Sequence, residues 1–89
     1  MAYQIKLSRR AEKDLASIPQ DIRIHIELAL ERFAKNPDMR HDVVKVRDSP
    51  KVMPRYRLRV GEYRVMFFVH HDILLIEIIT IGKKKNFKY

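Results

Sequence analysis

Residues 55–69, RYRLRVGEYRVMFFV, constrain the fold most tightly. They hold two runs of alternating residues joined by Gly61-Glu62. In the first run Tyr56, Leu58 and Val60 take one parity, and Arg55, Arg57 and Arg59 take the other. A strand turns successive side chains to opposite faces, so the pattern predicts a row of arginines on one face and apolar anchors on the other. The second run, residues 63–69, carries Arg64 near its start. Closing the two runs into a hairpin sets Arg64 across from the arginine row. The apolar parity has to meet a core, so the arginines take the opposite face.

The remainder of the chain supplies that core. Residues 3–7 alternate as a short strand, and Ser8 suits a helix N-cap because its hydroxyl accepts from a first-turn amide. Ala11, Leu15 and Ile18 fall on one face of a short helix, which Pro19 breaks. Gln20-Asp21 opens a second helix with Asp21 at the positive end of the dipole. Its stripe is Ile22, Ile26, Ala29, Leu30 and Phe33. Ile24 and Leu28 widen the stripe and predict burial of more than half of that helix. Asn36-Pro37-Asp38 stops it, and the two helices form an antiparallel hairpin.

Beyond this point the period becomes two. Val44 and Val46 alternate with Lys45 and Arg47 as a second strand. Asp48-Ser49-Pro50 signals a turn, and Pro54 delays the third strand until Arg55. Strands follow at 55–60, 63–70 and 73–81, the last two joined by a tight turn at His71-Asp72. The fifth, ILLIEIITI, is nearly all apolar, which predicts a central place with both faces largely covered. Gly82 ends it before the basic, aromatic tail of residues 83–89. The expected architecture is α+β: an N-terminal strand, a helical hairpin, then an antiparallel meander with the helices packed on one sheet face. A length of 89 residues predicts one domain over residues 1–89.

Charge is placed unevenly. Residues 8–39 hold six basic and six acidic groups, whereas residues 40–89 hold twelve basic and five acidic. Lys6 brings the total to 19 basic against 11 acidic, a net charge of +8. A positive surface concentrated in one half points to a polyanionic partner, most often nucleic acid. The chain has no cysteine, which removes disulfides and thiolate metal sites. It shows no apolar leader or long apolar span, so a soluble, cytoplasmic protein with no membrane partner is expected.

Arg57, Arg59 and Arg64, with Lys83, Lys84 and Lys85 after the last strand, are expected to converge on one concave surface. Guanidinium groups make planar, two-pronged contacts to phosphate and stabilise charge that develops on it. A solvated strand face is the plain alternative, but such faces usually mix Thr, Glu and Lys, and this row is arginine only. Lys45, Arg47, Lys51, Arg55 and Lys88 extend the basic surface available to RNA. Phe87 and Tyr89, set among lysines, suit stacking on unpaired bases, although Phe87 fits a sheet edge equally well. His25, His41 and the His70-His71 pair lie on unrelated elements, which argues against a catalytic histidine pair. No metal-ligand spacing or Gly-rich phosphate loop is present, so neither metal nor other cofactor is expected. Glu77, alone in the apolar strand, reads better as a member of a structural ion pair than as a partner for a site arginine.

If the chain acts on RNA, the remaining route is attack of a ribose 2′-OH on its own 3′-phosphate. Positioning and cationic stabilisation would drive it, with Lys, Arg or Tyr carrying protons. Arginine is a poor base, since a guanidinium gives up its proton only far above neutral pH. A ribosome would orient the RNA for such a slow site.

The β-α-α-β-β-β order, the hairpin YRLRVGEYRVMF at 56–67, and an apolar strand closing on Gly-basic-basic before a C-terminal Tyr resemble the RelE/ParE toxin superfamily. The RelE branch is most similar, and the likeness covers nearly the whole chain. It implies a microbial-RNase-like fold and a toxin of a type II toxin–antitoxin system. That toxin would cut mRNA in the ribosomal A site and be held by a cognate antitoxin in a hetero-oligomer. By resemblance, Arg57 and Arg59 match the two basic residues of the central strand, one of them implicated as general base. Arg64 matches the arginine that stabilises the transition state, and Lys84 the general acid. Tyr89 matches the tyrosine that stacks on or orients the RNA. The best-known member has lysine at the positions of Arg57 and Arg59 and arginine at that of Lys84, which leaves Lys84 or Tyr89 as the proton carriers. The alternatives are a ParE-like, non-enzymatic inhibitor of DNA gyrase and an inactive RNA-binding module.

Overall fold

In the computed structural model, residues 3–37, 41–47, 49–51 and 53–86 are described. Strand β1 (Gln4–Leu7) leads into α1 (Arg9–Ala16) and α2 (Gln20–Lys35). Four strands follow: β2 (Val43–Lys45), β3 (Arg55–Val60), β4 (Tyr63–His70) and β5 (Leu75–Lys83). A 3-10 turn, Lys84–Asn86, ends the described chain. The sheet order is β1-β5-β4-β3-β2, with β1 parallel to β5 and every other pair antiparallel. The α+β architecture expected from the sequence is therefore present, and β4 lies at its centre. No helix among the described residues is long and apolar enough to cross a membrane.

The two helices begin for different local reasons. Ser8 has extended backbone and its Oγ accepts from the Ala11 amide at 3.0 Å, which secures one orphan donor of α1. Pro19 sits before α2 with no side-chain cap, and its carbonyl accepts from the Arg23 amide instead. From α2 the core receives Ile26, Leu30, Phe33 and Ala34; from the sheet it receives Leu58, Val65, Phe67, Val69, Ile76 and Ile78. Phe67 is fully buried at the middle, edge-on to Phe33 at 5.3 Å and stacked with Tyr56 at 5.9 Å. Apolar burial on this scale stabilises by about 1.5–3 kcal/mol per large side chain.

Helix α1 has a second task. β4 and β5 slip register between Met66 and Phe67, so that Met66 pairs with Thr80 and Phe67 with Ile78. Ile79 is left over as a bulge, where strand edges commonly change partner. β1 stops at this level, and α1 takes over the edge of β5. The Ser8 amide donates to the Ile78 carbonyl at 2.9 Å and the Ser8 hydroxyl to the Ile79 carbonyl at 2.7 Å. One oxygen of Asp14 then accepts from Thr80 Oγ1 at 2.9 Å and from the Ile81 amide at 3.0 Å. The side chains of α1 replace a neighbouring strand and blunt an otherwise open edge.

Four expectations are corrected. Ile24 and Leu28 are 49% and 44% exposed, so the buried stripe of α2 is narrower than its apolar pattern. The reason is coverage: α2 lies over the middle of the sheet and leaves one of its flanks unpartnered. β2 spans Val43–Lys45, and its inward residue is Val43, paired with Leu58; Val44 pairs with Arg57 and is 57% exposed. β5 starts at Leu75, two residues late, because residues 71–74 form the turn, with Leu74 at φ +51° and Ile73 63% exposed. Gly82 does not end β5; the strand runs to Lys83, and Gly82 pairs with Arg64. The turn at Gly61 does need its glycine, with φ at +57°.

Candidate functional site

Helices on one face leave the other to the arginine parity. Cross-strand partners share a face, so the register places Arg59 opposite Arg64, Arg57 opposite Met66 and Arg55 opposite Phe68. Like charges directly opposite each other are unfavourable in a sheet. Each member of the Arg59–Arg64 pair is held by separate acceptors. Arg59 Nη2 lies 3.2 Å from Asp42 Oδ1, and the Arg59 amide donates to the Asp42 carbonyl at 2.9 Å. That ion pair is open to water, with the two side chains 61% and 63% exposed. Arg64 is only 8% exposed, the one charged residue buried among those described. Its Nη1 donates to the Gly61 carbonyl at 2.9 Å and to the Tyr63 carbonyl at 2.8 Å. The β3–β4 turn thus clamps Arg64 in place, whereas Arg59 lies exposed at the rim, paired with Asp42. A repulsive pair kept on a sheet face, here at its turn end, marks a functional site better than a stabilising one.

The 3-10 turn brings Lys84 to the same end. Its amide donates to the Glu62 carbonyl at 2.8 Å, next to the Gly61 carbonyl that binds Arg64. Lys84 and Lys85 are exposed there. Lys83 pairs with Tyr63, and Lys45 pairs with Tyr56, so both take the helix-side parity and not the arginine parity. Arg47 and Lys51 lie exposed in the connection between β2 and β3, off the strands. Phe87, Lys88 and Tyr89 fall outside the described residues. The structure therefore brings together Arg55, Arg57, Arg59 and Arg64, with Lys84 tied to their rim, and sets Lys45 and Lys83 apart.

The histidines fall into two groups: His25 and His41 line the groove between α2 and β3 that also borders Arg59, and His70 and His71 lie elsewhere. His70 Nε2 lies 3.1 Å from Glu77 Oε1, and His71 Nδ1 lies 2.8 Å from the Tyr3 hydroxyl, both at the far end of β4 from Arg64. Glu77 is thus in a structural pair, with a histidine partner rather than an arginine. Among the described residues no three His, Cys, Asp or Glu side chains come together as a metal site. Behind Arg59, on the helix side, an open groove of about 1000 Å³ runs between α2 and β3 past Ile22, Ala29 and Val60.

Sequence reasoning missed two members of the surface. Asp42 holds Arg59 from 17 residues away, which no spacing rule reveals. Phe68 shares the parity of Arg64 and stands on the arginine face, with the Arg55 Cζ 5.6 Å from its ring centre. Alternation along β4 carried that signal, but the run VMFFV looks uniformly apolar.

Comparisons with known proteins agree with this fold. Residues 5–86 match the model of the family described as the ParE toxin of the type II toxin–antitoxin system parDE. A candidate toxin of Methanocaldococcus jannaschii, RelE1, is 26% identical over 88 residues, covering 97% of this chain and 94% of that one. Among solved structures, the archaeal RelE–RelB complex of Pyrococcus horikoshii superposes with a TM-score of 0.79 at 24% identity, covering 94% of this chain and 97% of that one. The intact E. coli RelBE toxin–antitoxin complex superposes with a TM-score of 0.73 at 23% identity, covering 92% and 96%.

Proposed function

The chain belongs to the ParE toxin family of type II toxin–antitoxin systems, and from that premise we propose that it is a toxin of the RelE kind, a ribosome-dependent endoribonuclease that cuts mRNA in the A site. The observation that carries this reading is the Arg59–Arg64 pair: two cations opposed on a rigid face, one clamped by backbone carbonyls and one at the rim. Donors fixed before the reaction stabilise developing phosphate charge without reorganising during it. In the proposed step the 2′-OH attacks the adjacent phosphorus. Its proton leaves to a base, the P–O5′ bond breaks, and the 5′-oxygen takes a proton from an acid. The products are a 2′,3′-cyclic phosphate and a 5′-hydroxyl, with no net proton change.

Arg64 faces the charge that builds on the phosphoryl oxygens, and Arg57 and Arg59 hold the strand. Lys84, tied to the same turn, donates to the leaving oxygen, and Tyr89 is the second proton carrier. Arginine is a poor general base, so Arg59 takes a binding role and the base lies elsewhere. The reading places the protein in the cytoplasm with the ribosome. A cognate antitoxin is the expected partner, because similar folds were solved as RelE–RelB and RelBE complexes.

A gyrase inhibitor of the ParE kind is the second reading, favoured by the family model itself, which bears the ParE name. Cell-free translation separates the two. Cleavage of translated mRNA should appear with the native chain and fall at least about 100-fold with Arg64→Ala. Intact mRNA together with blocked supercoiling would overturn the RNase reading in favour of the second.

A further inference from the structure

The arginine face extends well beyond the Arg59–Arg64 pair. Strand residues two apart are about 6.6 Å apart, near the reach of one nucleotide in an extended single strand. Arg59, Arg57 and Arg55 therefore form a ladder that ends about 13 Å from the pair. At that end the character of the face changes. Arg55 has no carboxylate partner among the described residues, and its guanidinium lies over Phe68 with Cζ 5.6 Å from the ring centre. Its Nε is buried without a hydrogen-bond partner. Such a donor is costly unless something else compensates it. Phe68 is half-buried and on the same face. The next residue across the sheet is Glu77, which pairs in register with Phe68. Its Oε1 faces His70 Nε2 at 3.1 Å, and a carboxylate has a second oxygen with which to accept.

We propose that Arg55 and Phe68 form a stacking seat for one base of the RNA, two nucleotides along from the phosphate at Arg59 and Arg64, and that Glu77 selects a base carrying an exocyclic amino group there. The proposal rests on the RNase reading and adds a specificity site to it. A base stacks on the guanidinium plane, which the Phe68 ring supports from beneath; arginine planes and aromatic rings are the usual seats for unpaired bases. The free Glu77 oxygen accepts from the amino group of cytosine, which uracil lacks. An RNA occupant fits better than a peptide because the seat is the end of a cationic ladder whose step matches the nucleotide.

The test uses the whole chain and fully 2′-O-methylated oligonucleotides, which lack the attacking hydroxyl. A single abasic site is moved along the oligonucleotide, and binding is read by fluorescence anisotropy at low salt. One abasic position should weaken binding to the native chain by roughly 5- to 100-fold. In Phe68→Leu and in Arg55→Lys that position should become silent while the others keep their effects, and Phe68→Tyr should restore it. Thermal melting of each variant shows that it folds. Cytosine at that position should bind about tenfold more tightly than uracil, and Glu77→Gln should shrink the difference. Equal weakening of every oligonucleotide by Phe68→Leu, or of none, would overturn the stacking seat alone. So would unchanged RNA binding with weakened antitoxin capture, which would assign this surface to a protein partner. RNA that fails to bind, or binds equally to native and Arg64→Ala chains, removes the RNase reading together with the seat.

Discussion

Under the helices, Val65, Phe67, Val69, Ile76 and Ile78 of β4 and β5 are at most 2% exposed. On the opposite face, β3 and β4 offer Arg55, Arg57, Arg59, Arg64, Met66 and Phe68, of which only Arg64 is buried. The covered face gains from every contact, and nothing on it repels its neighbour. The open face sets Arg59 directly against Arg64 and lets Asp42 and the Gly61 and Tyr63 carbonyls absorb the repulsion. One sheet thus keeps its apolar core on one side and its cationic surface on the other, and the strand period of two lets the sides be altered separately.

The largest effect should come from breaking the covered face. Phe67→Ala removes the ring that packs on both Phe33 and Tyr56. A loss of about 3–5 kcal/mol is expected, measured by denaturant unfolding. For a chain of this size that is a large share of the total, and RNA cleavage should vanish with the fold. A Phe67→Ala protein that stays within 1 kcal/mol of native stability would show that the core does not hinge on this ring.

The same division explains what could be read from the residues alone. Parity over 55–60 is clean because β3 alternates Arg with Tyr, Leu and Val. Both its bounds and the face of its arginines follow directly. β5 is apolar on both parities, so its start was misplaced: Ile73 looks like strand but lies in the turn at 71–74. Ile24 and Leu28 fit the helical stripe, yet burial depends on where the sheet lies beneath α2, which a one-dimensional pattern does not record. Charge alone groups Lys45 and Lys83 with the arginines; register with Tyr56 and Tyr63 puts them on the helix-side parity. Asp42 and Asp14 act over 17 and 66 residues of sequence, beyond any local signal.

Asp14 tests the seam between the two faces. Its carboxylate serves the Thr80 hydroxyl and the Ile81 amide where β1 no longer covers β5. Asp14→Ala leaves a partly buried amide unpaired, for an expected loss of about 1–3 kcal/mol. Amide exchange should quicken first at Ile81 and neighbouring β5 residues, while Phe67 and Val69 keep their protection. Uniform acceleration across the sheet would mean that α1 is an integral part of the core and not an edge cover.

The smallest change in stability, and the sharpest test of the open face, is Asp42→Asn. The Arg59–Asp42 ion pair is solvent-exposed, so its loss should alter stability by no more than about 1 kcal/mol. Its effect on RNA should have the opposite sign from that of a structural mutation. The Asp42 carboxylate occupies the guanidinium that a phosphate would take, so neutralising it frees a cation at the rim. Affinity for a 2′-O-methylated oligonucleotide should rise severalfold at low salt, and the gain should shrink as salt screens the exposed charges. Arg64 is clamped by carbonyls and not by a carboxylate, so no neutralising mutation beside it can produce the same gain. If Asp42→Asn weakens RNA binding instead, Asp42 orients Arg59 for the phosphate rather than competing with it. The two arginines would then both be preorganised, one by backbone and one by a side chain.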